Sequence, residues 1–192
     1  MLAKMAARLS VIDSMHASYR DLAEAAGASI STLQHYFGKR TDIVAAILAD
    51  ARDRAAPMLA QLQQPSGHLE QSIRDALAFI RIGFEQFGLS GLFAMGLSEG
   101  LRHSVIGPRF VADVLEISID AVAVRLAAHQ DRGEMRRDTD ARAAAIRLLS
   151  PLIVAYLHQK ELGGEKDWPL DLDSFVDAHA ETFVRAHTTG AG

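Results

Sequence analysis

Ser31, Thr32, Gln34, His35 and Tyr36 crowd into one stretch of the chain, and Lys39 and Arg40 follow directly after Gly38. An amide, an imidazole and two hydroxyls offer donors and acceptors in patterns that match nucleobase edges; a glutamine can pair twice with adenine. A phenol and a guanidinium at the end of such a stretch suit phosphate oxygens, which fix register without reading sequence. Tyr36 and Arg40 fit that role, Arg20 is a third candidate upstream, and Lys39 is a weaker one. The chemistry in prospect is recognition rather than bond-making. No serine sits in a nucleophile elbow, and no glycine-rich phosphate loop occurs. The eight histidines are scattered without His-x-x-x-His spacing. Asp171 and Asp173 read as a helix start, where carboxylates favour the free amide ends. Catalytic residues, a cofactor and a metal are therefore not expected.

These groups act together only if a helix carries them. Between Ser18 and Phe37 the sequence reads as two short helices around a tight turn. Tyr19, Leu22, Ala23 and Ala26 share one face of the first. Ile30, Leu33 and Phe37 point inward from the second, which leaves Ser31, Thr32, Gln34, His35 and Tyr36 outward or sideways. Gly27 can take positive φ between the two helices. Ser18 with Asp21 fits a capping box, and Ser29 caps the second helix. That is the pattern of a helix-turn-helix, whose second helix enters a DNA major groove.

Composition frames this reading. With 192 residues and 49% hydrophobic content, the chain can bury a real core. Alanine, leucine and charged residues dominate and alternating β-branched runs are absent, so an all-α fold is expected. The lack of cysteine removes disulfides, thiolate metal sites and a cysteine nucleophile. No apolar run is long enough to span a membrane, and the N-terminus lacks a secretory pattern. The net charge is -4, yet residues 1–50 carry five basic and five acidic groups and so balance to zero. A neutral head can still present a basic face if Arg20, Lys39 and Arg40 converge, whereas indiscriminate electrostatic binding of nucleic acid is disfavoured.

Along the chain, Leu2, Met5, Leu9 and Ile12 recur at helical spacing, and Asp13 to Ala17 connect that helix to the motif. Gly38 ends the second motif helix and Thr41 caps the next, which Pro57 kinks or interrupts. Gly107-Pro108 marks a boundary before a long helix from about Arg109 to Gln130. Residues 131–138 read as a solvated turn, and another long helix follows to about Glu161 with Pro151 inside it. Gly163-Gly164 stops that helix, a last one starts near Asp171, and the tail from His187 frays. The expected architecture is an N-terminal three-helix helix-turn-helix domain over 1–45. A larger helical domain over 46–192 follows, for about nine helices in all.

The run Thr32-Leu33 and Tyr36-Phe37, preceded by Leu22-Ala23 and Ala26-Gly27-Ala28-Ser29, resembles the tetracycline-repressor-like (TetR) family of bacterial transcriptional regulators. Arg40 stands where the family carries a lysine, and Ile43 is the apolar residue after it. The resemblance implies a cytoplasmic, nucleoid-associated homodimer whose two heads bind a palindromic double-stranded DNA operator. It also implies a C-terminal domain with a small-molecule pocket, dimerising through its last two long helices as a four-helix bundle. Ligand binding in that family changes the separation of the heads and lowers operator affinity. The chain departs from the pattern at Ile30-Ser31, where the family often has a polar or basic residue and then glycine. Gln34 replaces a common tyrosine, and the first helix is short and lacks a basic lead-in, as if the arm were curtailed or residues preceded Met1.

For the effector, Phe79, Phe84, Phe87, Phe93, Met95, Phe110 and Tyr156 could line an apolar pocket, with His103, His129 or His158 as a polar contact. Phe84 and Phe93 are the preferred walls, because neighbouring glycines leave room. Such a set would suit a hydrophobic or aromatic ligand. The same aromatic residues could equally be close-packed core. The competing function is a helical effector-sensing or protein-interaction module with weakened or lost DNA binding, which the neutral head and Ile30-Ser31 favour.

Overall fold

A computed structural model of the chain describes residues 1–11 and 17–189. It is all-α: among the described residues there is no strand, only an isolated antiparallel bridge between Met135 and Thr188. The helices are α1 (Leu2–Leu9), α2 (Tyr19–Ala26), α3 (Ile30–Phe37), α4 (Arg40–Leu62), α5 (Leu69–Gln86) and α6 (Leu89–Arg102). Then come α7 (Ile106–Phe110), a π-helical stretch (Val111–Glu116), α8 (Ile117–Asp131) and α9 (Ala141–Tyr156). A π-helical turn (Leu157–Glu161), α10 (Gly164–Asp167) and α11 (Leu172–His187) complete the chain. Counting each continuous rod once, the surplus over the expected number is the four-residue α10. Ile12 and the connection before Ala17 lie outside the described residues.

The chain divides into two compact units. The first comprises Met1–Ala56 and Gly88–Glu116, the second Pro57–Phe87 and Ile117–Gly192. In the first, Met5 and Leu9 of α1 join Leu22, Leu33, Ile43, Val44, Ile47 and Leu48 in a core with almost no solvent exposure. Helix α6 belongs to this unit because glycines let its backbone come close. Ser10 packs so tightly on Gly91 that a β-carbon there would lie 2.7 Å from the serine's own. At Gly100 an added β-carbon would lie 3.2 Å from the Gly107 α-carbon. The second unit is a helical bundle around Ile73, Leu77, Val122, Leu126, Leu148, Leu152 and Phe183. Arg125 is buried in it and donates to the Leu62 carbonyl at 2.6 Å and to the Ser72 hydroxyl at 2.8 Å. It thereby satisfies a carbonyl that the end of α4 leaves without an intrahelical partner.

Several boundaries differ from the sequence expectation. Thr41 is inside the first turn of α4, and the capping role falls to Asp42, whose carboxylate accepts from the Lys39 amide at 2.8 Å. Helix α4 continues through Pro57, and the division between the two units falls at that residue. Gly107 and Pro108 lie within the first turn of α7, where proline's missing amide costs no hydrogen bond. The turn after α8 is not wholly solvated, since Met135 is fully buried. The tail is tied down as far as Thr189: the His187 carbonyl accepts from the Arg136 amide at 3.0 Å, and the His187 ring stacks on Phe183.

Candidate nucleic-acid interface

Local hydrogen bonds build the helix-turn-helix. The Ser18 hydroxyl accepts from the Asp21 amide, and the Asp21 carboxylate accepts from the Ser18 amide at 2.7 Å, completing the capping box. Those bonds hold the Asp21 carboxyl below its ordinary range. At the other end, Gly27 adopts φ 67°, with its amide bonded to the Glu24 carbonyl and the Ala28 amide bonded to Ala23. This pair of bonds is the Schellman arrangement that closes a helix with one left-handed residue. No atom lies within 4 Å of where a Gly27 β-carbon would be, so dihedral angle and not space demands glycine.

Ser29 then starts α3. Its hydroxyl accepts from the Thr32 amide at 3.1 Å and sits 2.7 Å from the Thr32 hydroxyl and 2.9 Å from that of Ser31. Leu33 is the fully buried anchor of α3, while Ser31, Gln34, His35 and Tyr36 are exposed and Thr32 is half-buried. The His35 and Tyr36 rings meet edge to face at 5.4 Å. Tyr36 is 71% exposed, a large aromatic surface for a helix with so little chain around it. Arg20 and Lys39 are exposed as well. Tyr19 is more than an apolar contact: it donates its hydroxyl to the Gly38 carbonyl at 3.1 Å and so ties the start of α2 to the end of α3. The exposed face of α3 therefore carries hydroxyl, amide, imidazole and phenol groups side by side, a set able to pair with base edges and phosphates.

Arg40 stands differently from its expected role as a phosphate contact. Its guanidinium donates to both carboxylate oxygens of Glu99 on α6, at 2.6 and 2.8 Å, and through Nε to the Ala17 carbonyl at 3.0 Å. Glu99 is 1% exposed, and burial alone would raise its carboxyl pKa. The hydrogen bonds and charge of Arg40, aided by His103 and Arg102, more than reverse this and leave it lowered. Arg40 is thus occupied in joining the start of α4 to α6. Nothing in the local sequence pattern signals a partner 59 residues away.

The eight residues expected to line an effector pocket do not all share one unit. Phe93, Met95, His103 and Phe110 belong to the first unit, and Phe79, Phe84, Phe87 and Tyr156 to the second. In the first, the Phe110 ring occupies the space over Gly96 and meets Phe93 edge to face at 5.6 Å, so that glycine leaves no vacant room. Met95 is buried, and His103 lies 3.6 Å from the Glu99 carboxylate. In the second, Phe84 stacks on Tyr156 at 4.5 Å, and the Tyr156 hydroxyl donates to Glu85 at 3.0 Å. Burial comes first, then the Glu85 bond, in pushing the Tyr156 phenol pKa upward. Phe79 is half-buried, while Phe87 is 66% exposed at the end of α5. Of the alternative histidines, His129 is fully buried against Glu134 at 2.7 Å and His158 bonds to Gln159. An open groove of about 260 Å³ runs along α5 and α11, lined by Leu77, Val176, Arg74, Arg81, Asp173 and Asp177. Its arginines are paired with acids of α11 and of α5 itself, and none of the eight residues borders it.

No family profile matches the sequence, and no curated protein matches it. Solved structures match the fold along nearly the whole chain. A proposed TetR-family transcriptional regulator from Mesorhizobium loti superposes with a TM-score of 0.76 at 16% identity, covering 98% of this chain and 95% of that one. A TetR-family transcriptional regulator from Agrobacterium tumefaciens gives 0.71 at 17% identity, covering 98% and 97%. The fatty acid degradation regulator FadR of Bacillus halodurans gives 0.71 at 14% identity, covering 95% and 92%. At these identities the likeness establishes a shared fold: the chain has the helical architecture of TetR-family regulators.

Proposed function

We propose that this chain is a ligand-responsive transcriptional regulator, a repressor that binds a palindromic DNA operator as a homodimer and is released by a small hydrophobic or aromatic effector. The observation that carries the reading is the exposed polar face of α3, presented by a capped, glycine-closed turn and backed by the buried Leu33. In this reading residues 1–45 form the DNA-binding domain and 46–192 the effector-binding and dimerisation domain. Ser31, Thr32, Gln34 and His35 face the bases, and Tyr36, Arg20 and Lys39 hold phosphates. Arg40 serves chiefly to position the head, because its donors are engaged by Glu99 and Ala17.

Exposed apolar side chains on α9, Ile146 and Val154, and the small exposed Ala178 and Thr182 of α11 support dimerisation through those two helices. Two heads can then occupy successive major grooves only if their spacing matches about 34–36 Å. An effector that favours another spacing weakens DNA binding by linkage. The chain would act without catalysis, in the bacterial cytoplasm. Gel-shift assays with the intergenic DNA flanking its own gene test this reading. A shifted band at low salt, abolished by excess specific competitor, is expected, with a dimer in sedimentation equilibrium. A second reading, a helical sensing or interaction module without operator binding, is favoured by Ile30, which is 38% exposed at the start of α3. No shift at low salt would select it.

A further inference from the structure

Asp113 is a carboxylate whose burial is only half accounted for. It lies in the π-helical stretch Val111–Glu116, is 5% exposed, and accepts from Arg52 of α4 through Oδ1 at 2.8 Å. Its other oxygen, Oδ2, is buried and has no hydrogen-bond partner among the described residues. Arg52 does not belong to Asp113 alone: its Nε and Nη2 donate to Asp53 at 3.1 and 2.9 Å. One guanidinium is therefore shared between two carboxylates, which leaves an excess negative charge centred on the buried member. A buried carboxyl oxygen without a donor is costly, and π-helical interruptions of a helix recur at functional positions.

We propose that Oδ2 of Asp113 is a binding point for the ammonium group of a small organic amine, the class of effector to which this regulator responds. The proposal rests on the ligand-responsive reading above. An ammonium supplies the missing donor and the missing positive charge together, and a neutral alcohol supplies only the donor. Within one turn of Asp113 the chain carries Phe110, Val111, Ala112 and Val114 beside the charged Arg109 and Glu116, so the amine expected is one carried on a hydrocarbon body that follows the apolar members of this set. The Arg52 side chain against Asp113 is 43% exposed, so the amine would reach the closed Oδ2 by displacing that side chain. The amine competes with Arg52 for the same carboxylate, and Arg52 lies on the helix that Arg40 begins. Occupancy thus loosens a tether of α4 within the unit that carries α3.

The test uses the full-length protein with propylamine, cyclohexylamine and phenethylamine, each against its matching alcohol, followed by thermal shift and calorimetry. At least one amine is expected to stabilise saturably where its alcohol does not. Asp113→Asn should weaken that amine by tenfold or more, and Arg52→Gln, which removes the competitor, should tighten it. Should Asp113→Asn fail to fold, the Arg52→Gln result decides. Equal binding of amine and alcohol, undiminished binding by folded Asp113→Asn, unchanged binding by Arg52→Gln, or no saturable amine in the series overturns the proposal and leaves Oδ2 to water. Operator binding measured on the same samples keeps the two questions apart. DNA binding without amine binding sinks this site alone, and amine binding without DNA binding sinks the regulatory reading.

Discussion

Arg40 and Glu99 form a two-pronged ion pair, at 2.6 and 2.8 Å, between the first residue of α4 and the interior face of α6. Ser10, packed on Gly91, is a further point at which α6 meets the N-terminal segment of the first unit.

Removing one partner strands the other. Arg40→Ala leaves a carboxylate that is 1% exposed without its counter-charge, so a loss of about 3 kcal/mol is expected, near the lower end for buried pairs because Arg40 itself is 24% exposed. Glu99→Gln should cost less, since the amide can still accept one hydrogen bond. Urea unfolding followed by circular dichroism measures both, and equal or negligible losses would refute the role assigned to the pair.

The same pair makes stability depend on acid. The Glu99 carboxyl is pulled below its ordinary value of 4.5 on balance, burial pushing up and Arg40 pulling down harder. A lowered folded-state pKa contributes stability that is present above the unfolded value and lost as pH falls through the folded one. Asp21 in the capping box is lowered from 3.8 by its Ser18 bonds and acts in the same direction. The urea midpoint is therefore expected to be flat near neutrality and to fall below about pH 4.5, and Glu99→Gln should flatten part of that fall.

Gly27→Ala forces a β-carbon into the left-handed conformation at φ 67° and should cost about 1–2 kcal/mol, although nothing crowds it. Gly96→Ala acts by the opposite cause, since its new methyl meets the Phe110 ring; overpacking of this kind costs about 1–3 kcal/mol. Thermal denaturation of the two variants checks both. A Gly27→Ala protein as stable as the parent would contradict the turn geometry.

How much of this was legible follows the range of the interactions. The capping box, the Ser29 cap and the closures at Gly27 and Gly38 join residues within about five positions, and their residue types announce them. Arg40–Glu99, Arg125 on the Leu62 carbonyl and Phe110 over Gly96 join distant positions, and nothing local marks them. Helix α4 ran through Pro57 because proline removes a single amide donor, which a long helix with a packed N-terminal half tolerates. Composition leaves the aromatic residues open between pocket wall and close-packed core, because it cannot say which pairs stack. The structure places Phe84 on Tyr156 and Phe110 on Phe93, and leaves Phe87 outside.

On α3 the two classes of contact should separate by their salt response. Gln34→Ala is expected to relax preference at one base pair, by about 1–3 kcal/mol between bases. Lys39→Ala should weaken binding to every sequence alike and lower the salt slope by about one. Arg40→Ala, if it acts by positioning the head, weakens binding without changing that slope. Fluorescence anisotropy over a salt series distinguishes the three.

In the proposed function, α3 reads DNA from each half of a dimer. DNase I footprinting of the full-length protein on the intergenic DNA beside its gene, at low salt, tests it most directly. Two protected half-sites related by a dyad are expected, with centres one helical turn apart or a multiple of it, and loss of protection when an exposed α3 residue such as Gln34 is changed together with Tyr36. Absence of protection at low salt, or protection indifferent to those changes, would contradict it.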